Sequence, residues 1–350
     1  MPIPLRRLAL RSVGVCAGAF ATTTGFSVRT ESHTTSAQSL SQGGGSGKPM
    51  LFLSDLDGTL HGFSVDAQHA LRRWTAFWDE TEAPSGSVLC YNTGRCITDY
   101  VKVLQPELPV PDVLITGDGT EIRWLRKGLR ATLAHGSTGA LDGDVLELFY
   151  LDEEWAAAVE GCWHSARDRV VAAMECDNEG HLADLNVVSN SPPRGESRWA
   201  ITVRGEEKAQ SLCAAYTERF RAEGVCFYAM AGWGEPRCHL IVALPASCGK
   251  LNAARHVQKR TGFASAACVS AGDSENDLPM IRSGFGFIVV ANAVANLVQA
   301  VDGMARPDLH YRAAAPFASG VVEGLQHFRR HMETAHDSGA RPDETGGAPR

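Results

Sequence analysis

The sequence predicts an α/β fold, a doubly wound parallel sheet with an inserted α/β domain. Short apolar segments alternate with amphipathic helical segments on both sides of the insert, and each apolar segment ends in a polar loop that usually contains glycine. The middle of the chain differs, with helices and strands that suit a separate small sheet. In a parallel sheet the ligand crevice lies beyond the carboxyl ends of the strands, so the polar loops are expected to converge there.

The first predicted strand spans residues 50–53, an uninterrupted apolar run typical of a strand buried on both faces. Apolar residues then recur at helical spacing as far as Phe77, which predicts an amphipathic helix. Further strands are predicted at 87–91, 113–115, 267–270 and 286–290, and a helix at 250–261. This alternation is what builds a parallel sheet with helices on both faces.

The middle segment is predicted to hold helices over about 153–174 and 206–222, and strands at 198–203, 225–229 and 240–244. We therefore predict a core of residues 49–123 and 245–330, an insert of residues 124–244, an extension of residues 1–48 and a disordered tail of residues 331–350.

Composition argues against several classes of protein. A formal charge of -7 is unsuited to a general nucleic-acid binder, which needs clustered cations. No apolar stretch is long enough to span a bilayer, so no membrane partner is predicted. The ten cysteines include no CxxC pair and are interpreted as reduced core residues rather than disulfides or zinc ligands. The oligomeric state stays open.

The first 30 residues are basic and rich in Ser and Thr. They contain Arg6, Arg7, Arg11 and Arg29, and no acid precedes Glu31. This pattern is similar to an organellar transit peptide and predicts a plastid or mitochondrial location. The alternative is a cytoplasmic protein with a disordered extension that carries no address.

The chemistry is predicted to centre on Asp55 and Asp57, directly after the first strand. Side chains two apart in an extended segment point the same way, so both carboxylates can face the crevice. Two close carboxylates repel each other unless a cation or a proton lies between them. Two aspartates beside Gly58 would by themselves also suit an ordinary turn.

Three further motifs make the chain resemble the haloacid dehalogenase-type phosphatase superfamily. Residues 55–59 match its first motif, Thr93 its second, Lys250 its third and residues 272–277 its fourth, in family order. The resemblance implies a Rossmann-like core in which the insert is a cap that selects the substrate. It also implies hydrolysis of a phosphomonoester through an aspartyl-phosphate.

The resemblance also assigns site residues. Asp55 would be the nucleophile and Asp57 the general acid and base. Mg²⁺ would be held by Asp55, the backbone carbonyl of Asp57, Asp273 and, directly or in support, Asp277. The substrate phosphate would be bound by Thr93, Gly94, Lys250 and Asn276.

Several segments are similar to the sucrose-phosphate phosphatase group: 93–95, 111–115, 119–122, 244–245 and 318–328. This likeness implies a sugar phosphate as the small-molecule partner, with sucrose 6-phosphate as the leading substrate. Residues 239–243 depart from the group, because the acids usual in that strand are absent. Other sugar or sugar-glycerol phosphates, a sugar phosphomutase activity and a non-catalytic sugar-phosphate sensor remain alternatives.

Overall fold

The computed structural model describes residues 47–101, 108–127, 129, 145–179, 197–231 and 238–337. Most of the predicted extension, residues 1–46, and part of the predicted tail, residues 338–350, lie outside the described residues.

The larger sheet has eight strands in the order β11-β10-β9-β1-β2-β3-β4-β5. The six strands from β11 to β3 run parallel to one another, whereas β4 pairs antiparallel with both β3 and β5. Their bounds are β1 Leu51–Ser54, β2 Val88–Asn92, β3 Val113–Thr116, β4 Glu121–Leu125, β5 Phe149–Leu151, β9 Cys268–Gly272, β10 Gly286–Val289 and β11 His310–Arg312. The fold class is thus the predicted one.

Both faces of the larger sheet are buried by helices. These are α1 Val65–Phe77, α2 Ile97–Asp99, α3 Glu153–Trp163, α6 Lys250–Thr261, α7 Ala295–Asp302 and α8 Phe317–Asp337. Phe52 in β1 packs in a cluster with Trp74 of α1 and Leu325 of α8. The next residue, Leu53, belongs to the opposite cluster, with Val257 of α6. An all-apolar strand is what burial on both faces requires.

A smaller antiparallel sheet has the order β6-β8-β7, with β6 Trp199–Arg204, β7 Val225–Ala231 and β8 Cys238–Pro245. Two helices cover it, α4 Arg167–Glu179 and α5 Glu206–Arg219. Its core includes Met174 of α4 and Tyr216 of α5 against Ile201 and Ile241. We call β6, β7, β8, α4 and α5 together the small-sheet unit.

Four details differ from the sequence predictions. The single helix predicted over 153–174 is two helices, α3 and α4. Strands β4, β5 and β11 were not predicted, because β5 and β11 have only three residues and β4 is only half-buried. The predicted insert begins at residue 124, inside β4 of the larger sheet. Residues 331–337 continue α8 rather than starting a tail. The division into core and cap itself stays a prediction.

Among the described residues, no helix combines the length and apolar character needed to cross a bilayer.

Candidate active site

Three carboxylates meet at the carboxyl ends of two neighbouring strands. Asp55 follows β1 and Asp273 follows β9, and these strands pair in parallel with Ser54 opposite Ala271. Asp277 returns to the same place because its carboxylate accepts the backbone N–H of Asp273, at 3.0 Å. Asp55, Asp273 and Asp277 each offer one oxygen within 4.8 Å of the others. The adjacent parallel strands therefore bring together the three side chains that are predicted to bind the metal ion.

Lys250 lies between two of these carboxylates at the first turn of α6. Its Nζ donates to Asp55 Oδ1 at 2.7 Å and to Asp277 Oδ1 at 2.8 Å. Burial alone would lower the pKa of Lys250, but the charges of Asp277 and Asp55 outweigh it and raise the pKa. The lysine is 2% exposed and stays protonated, so it neutralises part of the acidic cluster.

The remaining negative charge is not fully balanced. Burial raises the pKa of Asp55 although Lys250 opposes the shift. Burial, followed by the charge of Asp277, raises the pKa of Asp273 to about 7. A carboxyl group with so high a pKa marks a place where a cation can replace the proton. Clustered carboxylate oxygens are the ligands that Mg²⁺ prefers, so the donor set fits a hard divalent ion.

Gly58 allows the loop after β1 to approach this cluster. It has φ +83°, and a Cβ there would lie 2.2 Å from Asp273 Oδ2. Thr59 then donates from Oγ1 to Asp273 Oδ1 at 2.8 Å. A side chain at residue 58 would thus be strained in its backbone and would also displace Asp273.

The side chain of Asp57 lies against Arg95 instead of joining the three carboxylates. Arg95 Nε donates to Asp57 Oδ2 at 2.6 Å and Nη2 donates to Oδ1 at 2.7 Å. His61 Nδ1 lies 3.9 Å from Asp57 Oδ1. Hydrogen bonding to Asp57 raises the pKa of Arg95. The metal contact predicted for Asp57 involves its backbone carbonyl and stays a prediction.

Residues 93–95, which we call the phosphate loop because Thr93 and Gly94 are predicted to bind phosphate, lie next to β3. Thr93 follows β2, and its backbone N–H donates to Ile115 O at 3.0 Å. Its Oγ1 accepts the backbone N–H of Arg95 at 3.1 Å. A Cβ on Gly94 would lie 2.9 Å from Asp118 Oδ1. The loop is therefore packed tightly against Asp118.

Asn276 is connected to this loop through Asp118. Asn276 Nδ2 donates to Asp118 Oδ1 at 3.1 Å, while Arg198 Nη1 donates to Asp118 Oδ2 and to Gly94 O, both at 2.6 Å. Sequence reasoning identified Asn276 and Gly94 but missed Asp118 and Arg198. Asp118 could have been found, because it lies between two glycines in a loop after a predicted strand. Nothing in the residues around Arg198 indicated a role at the site.

Comparisons with known proteins identify the family. The profile of the sucrose-6F-phosphate phosphohydrolase family matches residues 48–134 and 239–329. The chain is 41% identical over 295 residues to the mannosylfructose-phosphate phosphatase of Agrobacterium fabrum, covering 80% of this chain and 98% of that protein.

Among solved structures, the sucrose-phosphatase of Synechocystis sp. PCC6803, in complex with sucrose and phosphate, has a similar fold. Its TM-score is 0.60 at 22% identity, covering 80% of this chain and 98% of that chain. The fold, the clustered acids and the profile match agree: the chain belongs to the sucrose-6F-phosphate phosphohydrolase family and is a phosphatase of the haloacid dehalogenase type.

Proposed function

We propose that this phosphatase hydrolyses a phosphorylated, fructose-containing disaccharide, with sucrose 6-phosphate as the leading substrate. The observation that carries the proposal is the buried contact of Lys250 with Asp55 and Asp277, beside Asp273. It supports the proposal because the residues that would serve as nucleophile, phosphate-binding cation and metal ligands lie together at one end of the sheet.

In the proposed reaction, Asp55 attacks phosphorus and the P–O bond to the sugar breaks. Asp57 gives a proton to the departing sugar oxygen, and an aspartyl-phosphate remains. Water then attacks this phosphorus, Asp57 takes its proton, and inorganic phosphate leaves as Asp55 is regenerated. Because Arg95 occupies both oxygens of Asp57, this pair must separate at least in part before Asp57 can transfer a proton.

Asp55, Asp273, Asp277 and the backbone carbonyl of Asp57 would hold Mg²⁺. When bound, the ion would offset the repulsion between the Asp55 carboxylate and the substrate phosphate. Lys250, Thr93, the backbone N–H groups near Gly94 and Asn276 would bind the phosphate oxygens. For Lys250 and Asn276, the contacts to Asp277 and Asp118 would then be shared with the substrate.

The substrate class is supported by the matching family and by one relative. The family is that of the sucrose-6F-phosphate phosphohydrolases, and the Agrobacterium fabrum relative is a mannosylfructose-phosphate phosphatase. Both are disaccharide phosphates that contain fructose. The 41% identity to that relative makes mannosylfructose phosphate the second candidate.

The test is release of inorganic phosphate by the full chain. Sucrose 6-phosphate, mannosylfructose phosphate, and hexose and sugar-glycerol phosphates would be compared with and without Mg²⁺. We expect Mg²⁺-dependent release that is fastest on a disaccharide phosphate. Asp55→Asn should lower kcat by at least about 10³-fold, because an amide is a poor nucleophile.

Asp168→Asn is the matched control, since the Asp168 side chain is 95% exposed on α4. Fastest release from a monosaccharide phosphate would keep the phosphatase chemistry and reject the disaccharide substrate. Isomerised sugar phosphate without phosphate release would favour a phosphomutase. Binding without turnover by folded protein would favour a sensor.

A further inference from the structure

Asp118 occupies a left-handed backbone conformation, which glycine adopts without strain and other residues adopt at some cost. It has φ 56° and ψ 38° and lies between Gly117 and Gly119, which also have positive φ. Residues other than glycine are disfavoured in this region, and Asp and Asn adopt it more readily than the rest. A strained residue persists where its surroundings hold it, so the contacts of Asp118 indicate what the strain achieves.

These contacts join three parts of the molecule. The Asp118 backbone N–H donates to Thr93 O at 3.1 Å, in the loop after β2. One carboxylate oxygen of Asp118 accepts a hydrogen bond from Asn276, which is next to the acidic cluster. The other oxygen accepts a hydrogen bond from Arg198. Asp118 thereby links the predicted phosphate loop, the loop after β9 and the residue that leads into β6.

Arg198 connects the small-sheet unit to Asp118 and to the phosphate loop. It directly precedes β6, and its Nη1 bridges Asp118 Oδ2 and the carbonyl of Gly94. The side chains of the pair are 12% and 3% exposed, so the interaction is shielded from solvent. A surface ion pair would hold two elements weakly, whereas a buried pair with further hydrogen bonds fixes their relative position.

We propose that Arg198 and Asp118 form a positioning pair that holds the small-sheet unit against the phosphate loop, and that binding of the sugar part of the substrate depends on this pair. The inference rests on the proposed function and on the prediction that the insert of residues 124–244, which contains the small-sheet unit, acts as a cap over the sugar. Neither residue needs to touch the reacting atoms. Lys250 and Asp55 are held by contacts of their own, since Lys250 Nζ donates to Asp55 Oδ1 at 2.7 Å and to Asp277 Oδ1 at 2.8 Å.

The test compares Asp118→Gly, Arg198→Met and the double variant. Glycine suits the left-handed backbone at residue 118, so the first change removes the carboxylate without adding strain. Arg198→Met alone leaves a buried charge without this partner and is the variant at risk of misfolding. The double variant removes both charges and is expected to fold, which keeps the proposal testable. Arg198→Lys tests whether the charge alone suffices.

Each variant is assayed with the best sugar phosphate and with p-nitrophenyl phosphate, which has no sugar for a cap to hold. In the double variant we expect kcat/KM for the sugar phosphate to fall at least about tenfold more than kcat/KM for p-nitrophenyl phosphate, because loss of the Asp118 contact with Asn276 affects both substrates alike. The loss of kcat/KM for the sugar phosphate in the double variant should be smaller than the product of the losses in the two single variants, because either change breaks the same contact. Arg198→Lys should recover part of the affinity for the sugar phosphate.

The matched control is Glu218→Gln with Arg221→Met, an exposed ion pair between the last turn of α5 and the residues that follow it. It should leave both substrates unaffected. An equal loss on the two substrates would overturn the proposal, since the pair would then serve the phosphate chemistry. Multiplicative losses in the double variant would overturn it as well.

Hydrogen exchange separates this inference from the proposed function. If the wild-type chain hydrolyses p-nitrophenyl phosphate but no sugar phosphate, the substrate proposal fails. Hydrogen exchange still measures whether the pair connects the two elements, because it needs no substrate. In the double variant, amides of β6 and of residues 93–95 should exchange faster together. Unchanged exchange at residues 93–95 would show that the pair does not connect the two elements.

Discussion

At the scale of single residues, the site depends on how charge is balanced. Lys250 neutralises part of a cluster in which Asp55 and Asp277 are almost fully buried and Asp273 is partly exposed. Lysine at a helix start is usually solvated, and here it is enclosed because α6 begins directly beside the ends of β1 and β9. Removing it leaves buried carboxylates without this cation.

Lys250→Met is therefore expected to destabilise the chain by about 3–5 kcal/mol in EDTA, as removal of one partner of a buried ion pair does. Added Mg²⁺ should recover more stability in this variant than in the wild type, because the cluster has lost its ammonium group. Urea unfolding with EDTA and with Mg²⁺ measures both effects. Lys259→Met, at an exposed position on the same helix, is the control. No response to Mg²⁺ in either protein would contradict metal binding at this cluster, and an equal response would contradict the coupling between the ion and Lys250.

At the scale of elements, Asp152 holds α6 against α3 and β4. It caps α3 by accepting the backbone N–H of Trp155, and its Oδ2 accepts Trp124 Nε1 of β4 at 2.8 Å. The same oxygen lies 2.9 Å from His256 Nε2 of α6. Because α6 begins at Lys250, this contact helps to set the position of the lysine in the site.

Asp152 predicts a pH-dependent contribution to stability. Burial alone would raise its pKa, but hydrogen bonds from His256, Trp124 and Trp155 outweigh it and lower the pKa to about 2. The carboxylate therefore stabilises the fold above the unfolded pKa of about 3.9, and the contribution disappears as pH falls to about 2. The shift corresponds to about 2 kcal/mol.

Asp152→Asn should thus cost about 2 kcal/mol of unfolding free energy at neutral pH, and the difference from wild type should shrink between about pH 4 and pH 2. Urea unfolding across this range provides the measurement, with Asp168→Asn as the exposed control. A difference that stays constant down to pH 2 would mean that the charge of Asp152 is not what stabilises the fold.

At the scale of the whole molecule, the basic, acid-free start of the chain gives a prediction separate from the catalytic site. We propose that residues 1–48 direct the protein to a plastid or a mitochondrion. Fused to a fluorescent protein in a plant cell, this segment should localise to one of these organelles. Changing Arg6, Arg7 and Arg11 to Glu should abolish import, since transit peptides are basic. A diffuse cytoplasmic signal from the unchanged segment would reject the proposal.

The main architecture followed from the order of residues because its signals are local. An apolar run such as 50–53 needs burial on both faces, and the polar residue that ends it must lie at the edge of the sheet. The same reasoning placed Asp55, Thr93 and Asp273 at neighbouring strand ends, where the structure has them. Strands β5 and β11 gave no such signal, because three residues are too few to show a period.

The sequence by itself therefore determined the α/β class, through local periodicity, and the motif residues, through their resemblance to the motifs of a known superfamily. Tertiary structure alone decided that Arg95 pairs with Asp57, that Lys250 bridges Asp55 and Asp277, and that Arg198 reaches Asp118 across 80 positions of the chain. Such pairings depend on which loops the sheet order brings together and on how far water is excluded from them. Neither property is encoded in a local pattern of residues.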